Sequence, residues 1–544
     1  MNWFRLTCKV LTLVLVLDTK AMANSGLYGS YLIRVRPVKV PMAPGSTDTP
    51  TQRLRKSSER SLSGLHSYLS REMGASETIT TNGPGSSISK KVSSYQSFWM
   101  APVAKISCRH DFLDELRNHP DVLEIVPDEP VYLSVPVVEP VSEDVRLPVL
   151  HAGNGYGKGR GIRIGVIDSG IVAHPVFGNR IRAYRDFTSK PLEAMTDTAG
   201  HGTFVASLVA GGEYQGKSLS FAPEADLIVA RALETVAAGG TSGEVSERVL
   251  AFASRILEAM QWILDPDDNP STPDHPHIMI NSWGFTDRMP IAMTFFDDAI
   301  LAWKDAGIIV LFAAGNEGRN GADTIRYPGS SSEVLTIGSV NHVHQVSRFS
   351  SLGGASQQKP DFVYYGENRD GLGRFSGRME LGKMSGTSMA TPLVGGLIAL
   401  MLEKEPGLSQ DKIYARLQTG ALDLGTPGWD SVYGHGMVQT TGLISQKSDT
   451  EGTHLVSELS VCLEKSVAED DCEAIRSQIT RYIADMAEAG LWIKIQKFQG
   501  EFTLHPRAHA DLKLKQSIRQ VFNFYSSQDS SGAAVSVYRS LYSH

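Results

Sequence analysis

From residue 161 onward the chain repeats one pattern, in which short apolar runs bounded by glycine alternate with longer stretches of helical spacing. The runs occupy residues 162–167, 227–230, 278–280, 308–313 and 334–337, and the helical stretches 204–210, 245–262 and 295–306. Apolar runs without polar alternation are strands buried on both faces. Interleaved with helices, they predict a mostly parallel sheet flanked by helices. One large α/β domain is therefore expected over residues 145–446.

The flanks have a different texture. Residues 31–35 form a short β-rich run, and the serine- and glycine-rich stretch 74–97 holds little that could pack. Residues 98–107 read as a strand, 111–119 as a short helix and 122–126 as a further strand, so 24–134 is expected to be a small α+β unit. Residues 131–147, with repeated proline and valine and no helical period, read as an extended connector centred on 135–144. Past Gly442 the chain turns polar. Cys472, Ile475, Ile479, Ile483 and Met486 then share one helical face, and 491–504 and 533–541 have strand character. Residues 447–544 are expected to form a second small α+β module, and no internal repeat is found.

A chain of 544 residues is too long for one ordinary core, which agrees with several folded units. Its formal charge of -7, with acids and bases interspersed, leaves no basic footprint for nucleic acid, and no nucleic-acid partner is expected. Arg5 and Lys9, the apolar run 10–17 and then Ala21-Met22-Ala23 follow the order of a secretory signal over residues 1–23, with a buried N-terminal strand as the alternative. The run is too short to span a bilayer and no second long apolar segment follows. A secreted or periplasmic chain without a membrane span in its mature form is expected. Cys8 would leave with the signal and Cys108 lies in the N-terminal unit. Cys462 and Cys472 could close a small disulfide loop or stay as thiols on a helical hairpin. No spacing of Cys and His suits a metal.

Polar groups interrupt the apolar texture at a few places where strands end or helices begin. In IGVIDSG (164–170) Asp168 closes a buried strand, where open α/β sheets place reactive groups. In GHGTFVASLVAG (200–211) His201 opens a helix with an apolar face. Imidazole is the usual base for activating a hydroxyl near neutral pH, and a buried carboxylate beside it would set its tautomer. In GTSMATP (386–392) Ser388 falls at a helix start, where free backbone N–H groups favour a developing negative charge, and Pro392 is tolerable in the first turn. In LFAAGNEG (311–318) a strand ends at Gly315 and exposes Asn316, whose side-chain amide can donate to an oxyanion. Singly, each also reads as a cap or a structural polar residue.

Together, in the order Asp, His, Asn, Ser, these segments resemble the signature of the subtilisin-like serine peptidases. The resemblance covers about residues 145–446 and extends to FAPEADLIVARAL (221–233), INSWG (280–284), YPGSSSEVLTIGSV (327–340), KPDF (359–362) and GWDSVYGHGMV (428–438). It implies a secreted endopeptidase acting on proteins and peptides, with Asp168, His201 and Ser388 as the triad and Asn316 with the Ser388 N–H as the oxyanion hole. Ser282, Trp283 and Gly284 match the edge segment that pairs with the substrate backbone. Arg326 departs from the pattern, because many relatives carry a small residue at this base of the primary specificity pocket. Either it pairs with Glu317 or points to solvent, or its guanidinium selects an acidic or polar side chain before the scissile bond. Residues 31–133 resemble the family's inhibitory propeptide, which implies self-processing between about Tyr132 and Asp144.

No cofactor is expected. The loop 265–274 holds Asp265, Asp267, Asp268 and Asn269, oxygen ligands of the kind a structural calcium takes, though acidic loops also stand solvated alone. The glycine-rich stretch 153–161 precedes a strand and lacks nucleotide-loop spacing, so it reads as a flexible entry to the domain. An α/β-hydrolase would need a G-x-S-x-G segment and another residue order. A catalytically silent binding scaffold on the same fold is the alternative from a different class.

Overall fold

The computed structural model describes residues 28–38, 47–74, 91–128, 130–132, 157–239, 245–285, 293–355, 357–439, 494–498 and 501–505. The signal segment, the stretch 135–144, Cys462, Cys472, the helical face 472–486 and the run 533–541 lie outside the described residues.

The N-terminal unit comprises β1 (Tyr28–Val35), α1 (Pro50–Gly74), β2 (Val92–Phe98), β3 (Val103–Arg109), α2 (Leu113–Arg117) and β4 (Val122–Pro127). Its strands form an antiparallel sheet in the order β2-β3-β1-β4. Because side chains alternate along a strand, β1 serves two cores. Tyr31, Ile33 and Val35 pack with Leu62, Leu65 and Leu69 of α1, while Leu32 faces the other way with Phe98, Val103 and Val126. The expected single strand at 98–107 is two strands joined by a turn at 99–102, and part of the stretch expected to hold little packing is β2. Helix α1 was not expected.

The chain continues through β5 (Pro130–Tyr132) to the main domain. There β6 (Arg163–Asp168), β7 (Ile181–Asp186), α3 (His201–Ala210), the small hairpin β8 (Glu213–Tyr214) and β9 (Lys217–Ser218), and β10 (Asp226–Arg231) come first. β11 (Glu234–Gly239), β12 (Val245–Phe252), α4 (Ala253–Leu264), β13 (Ile278–Asn281), α5 (Met293–Asp305), β14 (Ile309–Ala313), β15 (Leu335–Val340) and β16 (Phe362–Tyr365) follow. The hairpin β17 (Arg369–Phe375) and β18 (Arg378–Met384) leads into α6 (Thr387–Lys404) and α7 (Gln410–Gly420). In the tail, β19 (Lys494–Phe498) and β20 (Glu501–His505) form a hairpin within the run 491–504.

Seven parallel strands in the order β16-β15-β14-β13-β6-β10-β7 make the central sheet; the apolar runs predicted the inner five, and the edge strands β7 and β16 were not among them. α3 and α6 cover one face, and α4 and α5 the other. α6 is buried along nearly its whole length, and Gly395 lets it approach the sheet, since a Cβ there would lie 2.4 Å from Ile280 Cδ1. β6 has β10 on one side and β13 on the other, so successive strands leave it in opposite directions. Open α/β sheets bind ligands outside the carboxyl end of such a strand, and Asp168 stands there. The stretch 245–262 is not one helix: residues 245–252 pair with β11 on one side and β5 on the other, and this pairing overrides the helical spacing before α4 begins at Ala253.

The N-terminal unit lies against α4 and α5. Asp128 accepts from the Ser254 N–H at 3.1 Å, satisfying one orphan donor of the first turn of α4, and from the Ser254 hydroxyl at 2.7 Å. Arg34 pairs with Asp298 at 2.6 Å, and Arg55 with Asp265 and Asp268 at 2.6 Å each. Cys108, in the core of this unit, is a buried free thiol whose pKa burial pushes up to about 12, which leaves it inert.

Candidate active site

Asp168, at the end of β6, is fully buried. Its Oδ1 accepts from the Ser169 backbone N–H and from His201 Nδ1, each at 2.7 Å. A carboxylate only accepts, so the imidazole proton sits on Nδ1 and Nε2 is left as the acceptor. Burial pulls the imidazolium down, but the charge and hydrogen bond of Asp168, with the charge of Asp197 behind them, outweigh it. The pKa of His201 therefore lies above its ordinary value. His201 is placed by the start of α3. Gly200 just before it has φ of 80°, and a Cβ there would stand 2.4 Å from the Arg374 backbone nitrogen.

Ser388 is the second residue of α6. Its Oγ donates to the Ser282 carbonyl at 3.1 Å, and Ser282 Oγ donates back to the Ser388 carbonyl at 3.0 Å. Sequence order explains the second bond. Pro392, four residues on, has no N–H, so the Ser388 carbonyl has no helical donor and takes the Ser282 hydroxyl instead. Pro392 thus lies beyond the first turn, where it was expected, and it frees a carbonyl that the site uses. His201 Nε2 makes no hydrogen bond in this resting arrangement. Catalytic hydrogen bonds of unliganded sites commonly form only when substrate is bound.

Asn316 follows β14, and its Oδ1 accepts from the Thr387 N–H at 3.0 Å. That bond ties the amide to the residue before Ser388. Ser282, Trp283 and Gly284 follow β13. Trp283 is 2% exposed and its ring packs on Phe285 and Phe312, so the indole of this segment lies in the core. Arg326 lies between Gly284 and Gly315, with its Cβ 3.0 Å from where a Gly284 Cβ would be. Its Nε is 3.5 Å from Glu317 Oε2, an ion pair without a hydrogen bond, so Arg326 pairs with Glu317 in this structure.

One part of the site was not anticipated. Asp197 is buried between Ser169, Gly200 and Thr203. An Asp four positions ahead of His reads in sequence as an ordinary helix cap, and only the fold brings it beside Ser169.

Asp265, Asp267 and Asp274 bring one carboxylate oxygen each within 4.8 Å of one another. Asp268, also expected there, is not in this group, and Arg55 pairs with both Asp265 and Asp268. Burial raises the pKa of Asp274 to about 6 against the backbone N–H of Asp267, and the charges of Asp267 and Asp265 add to the rise. Among the described residues no helix is long and apolar enough to cross a membrane.

A model described as the subtilase family matches residues 159–436, and the chain belongs to that family. It is similar to the serine protease AprX of Bacillus subtilis (strain 168), at 31% identity over 310 residues, covering 52% of this chain and 65% of that one. It is also similar to the subtilisin-like protease PopC of Myxococcus xanthus (strain DK1622), at 28% over 307 residues, covering 53% and 60%. A thermostable alkaline protease of Halalkalibacterium halodurans matches at 28% over 337 residues, covering 62% and 81%. The chain spans less than two thirds of the length of the first two of these relatives.

Proposed function

We propose that this chain is a secreted serine endopeptidase that hydrolyses peptide bonds through an acyl-enzyme on Ser388. The observation that carries the reading is the 2.7 Å bond between His201 Nδ1 and Asp168, which leaves Nε2 as a base on the side of the sheet where Ser388 opens α6. Ser388 Oγ attacks the carbonyl carbon while His201 Nε2 takes its proton, and Asp168 stabilises the imidazolium. The oxyanion is held by the Asn316 amide and the Ser388 N–H. The intermediate collapses as His201 passes that proton to the departing amine. Water then gives a proton to His201 and attacks the acyl carbon, and the proton returns to Ser388 as the acid leaves. A fluorophosphonate probe should label Ser388, located by peptide mapping; an unlabelled Ser388 in folded protein freed of its N-terminal unit would remove the reading in favour of a silent scaffold.

Substrate is held as an added strand along Ser282, Trp283 and Gly284. The Arg326–Glu317 pair forms the base of the pocket for the side chain before the scissile bond.

The N-terminal unit acts as an intramolecular inhibitor, removed by self-processing between about Tyr132 and Asp144. Support comes from β5, whose Tyr132 lies opposite Leu250 on β12 at the edge of the domain. The reaction draws on no cofactor. The acidic loop is the place for a structural calcium, and calorimetric titration of the processed chain with calcium tests it.

A further inference from the structure

We propose that Asp197 is a positioning residue of the triad, binding the start of α3 to the end of β6 so that His201 stays on Asp168, and adding its own charge behind the imidazole. The inference rests on the hydrolytic reading given above. Asp197 Oδ1 accepts from the Ser169 hydroxyl at 2.9 Å and the Gly200 N–H at 2.7 Å. Its Oδ2 accepts from the Thr203 N–H at 2.8 Å and the Thr203 hydroxyl at 2.7 Å.

A carboxylate serving only as a helix cap needs only the helix amides. Here the Ser169 hydroxyl extends the contact to the other triad member: Ser169 Oγ also accepts from the Gly202 N–H at 2.9 Å, and the Ser169 N–H donates to Asp168. His201 is thereby flanked by bonded residues, Gly200 on one side and Gly202 on the other, that lead back to the residue beside Asp168.

Of the charged groups around this network, Arg374 of β17 packs its backbone and Cβ against Gly200, and Arg231 is bonded to other groups. Arg231 gives Nη1 to Asp186 at 2.7 Å and Nε to the Ser169 carbonyl at 3.1 Å, and its Nη2 reaches Thr198 Oγ1 at 3.4 Å. The Tyr184 hydroxyl donates to the Thr196 carbonyl at 3.3 Å. Asp197 has no cation of its own among these contacts, so its charge bears on His201, the titratable group that opens the helix it caps.

The test uses the full chain with Asp197→Asn, Asp197→Ala and Ser169→Ala. In a Ser388→Ala background, which prevents self-digestion, the His201 imidazole is titrated by NMR. In the active background, kcat and KM are followed against pH. Removing the charge should make His201 titrate at lower pH and move the acid limb of kcat/KM with it. Loss of position should lower kcat about 10- to 100-fold with KM within about twofold. Ser169→Ala should lower kcat while moving the titration less than Asp197→Asn does. Unmoved titration together with kcat within about threefold of the parent would overturn the proposal. If Asp197→Ala fails to fold, the other two variants decide. If the parent chain cleaves nothing, the hydrolytic reading fails while the NMR titration still answers for Asp197.

Discussion

Ser282 and Ser388 hold each other reciprocally, each hydroxyl donating to the other's carbonyl, at 3.1 Å and 3.0 Å. The pair joins the end of β13 to the start of α6, and Pro392 makes it necessary by leaving the Ser388 carbonyl without a helical donor. Replacing Ser282 by Ala should strand that buried carbonyl and cost about 1–3 kcal/mol in urea unfolding of the Ser388-intact chain. Pro392→Ala supplies an N–H in the right place, so a double-mutant cycle should show the Ser282→Ala cost falling by about half or more. Strict additivity would contradict this account.

The Asn316 amide is tied to Thr387 and so to the start of α6. Asn316→Ala, with Asp168, His201 and Ser388 intact, should lower kcat about 100-fold or more, read with a peptide substrate. A change below about threefold would remove Asn316 from the mechanism.

Much of the site was legible because each group breaks an apolar texture: Asp168 closes a buried strand, His201 and Ser388 open helices, and Asn316 follows a run ending in Gly315. The parallel sheet was legible for the same reason. What was not legible depends on contacts distant in sequence. Helix α1 carries few apolar residues among its serines and arginines, and Leu62, Leu65 and Leu69 gain meaning only against β1. Residues 245–252 become a strand because β5 and β11 flank them. Asp197 looks like any cap until Ser169 is placed beside it.

Glu317 lies 3.5 Å from Arg326 and offsets its charge. Glu317→Gln should release the guanidinium and raise the preference for Asp or Glu immediately before the scissile bond by about tenfold, measured by cleavage-site profiling of a peptide library. An unchanged profile would place Arg326 outside the specificity pocket.

The raised pKa of His201 has a consequence for rate. The base must be neutral to act, so kcat/KM should fall as pH drops through a value above the ordinary imidazole value of about 6.5. A profile measured with an uncharged peptide that stays flat down to pH 6 would contradict the His201 environment described.

Asp274 gives a stability prediction of defined sign. Its folded pKa of about 6 exceeds the ordinary 3.8, so the stability it contributes is present at low pH and lost as pH rises from about 3.8 to about 6. Asp274→Asn should flatten the change in thermal midpoint across that window and raise the midpoint at pH 7. A lower midpoint at pH 7 would mean that the charged form is stabilised, as by a bound cation.

The most direct measurement of the central claim is release of peptides from unfolded casein by the purified chain and by Ser388→Ala, with mass spectrometry of both the casein products and the protein's own N-terminus. The account predicts that the parent cleaves casein and carries a new N-terminus between about Tyr132 and Asp144, while Ser388→Ala does neither. Equal inactivity of the two proteins, or equal processing of both, would contradict it.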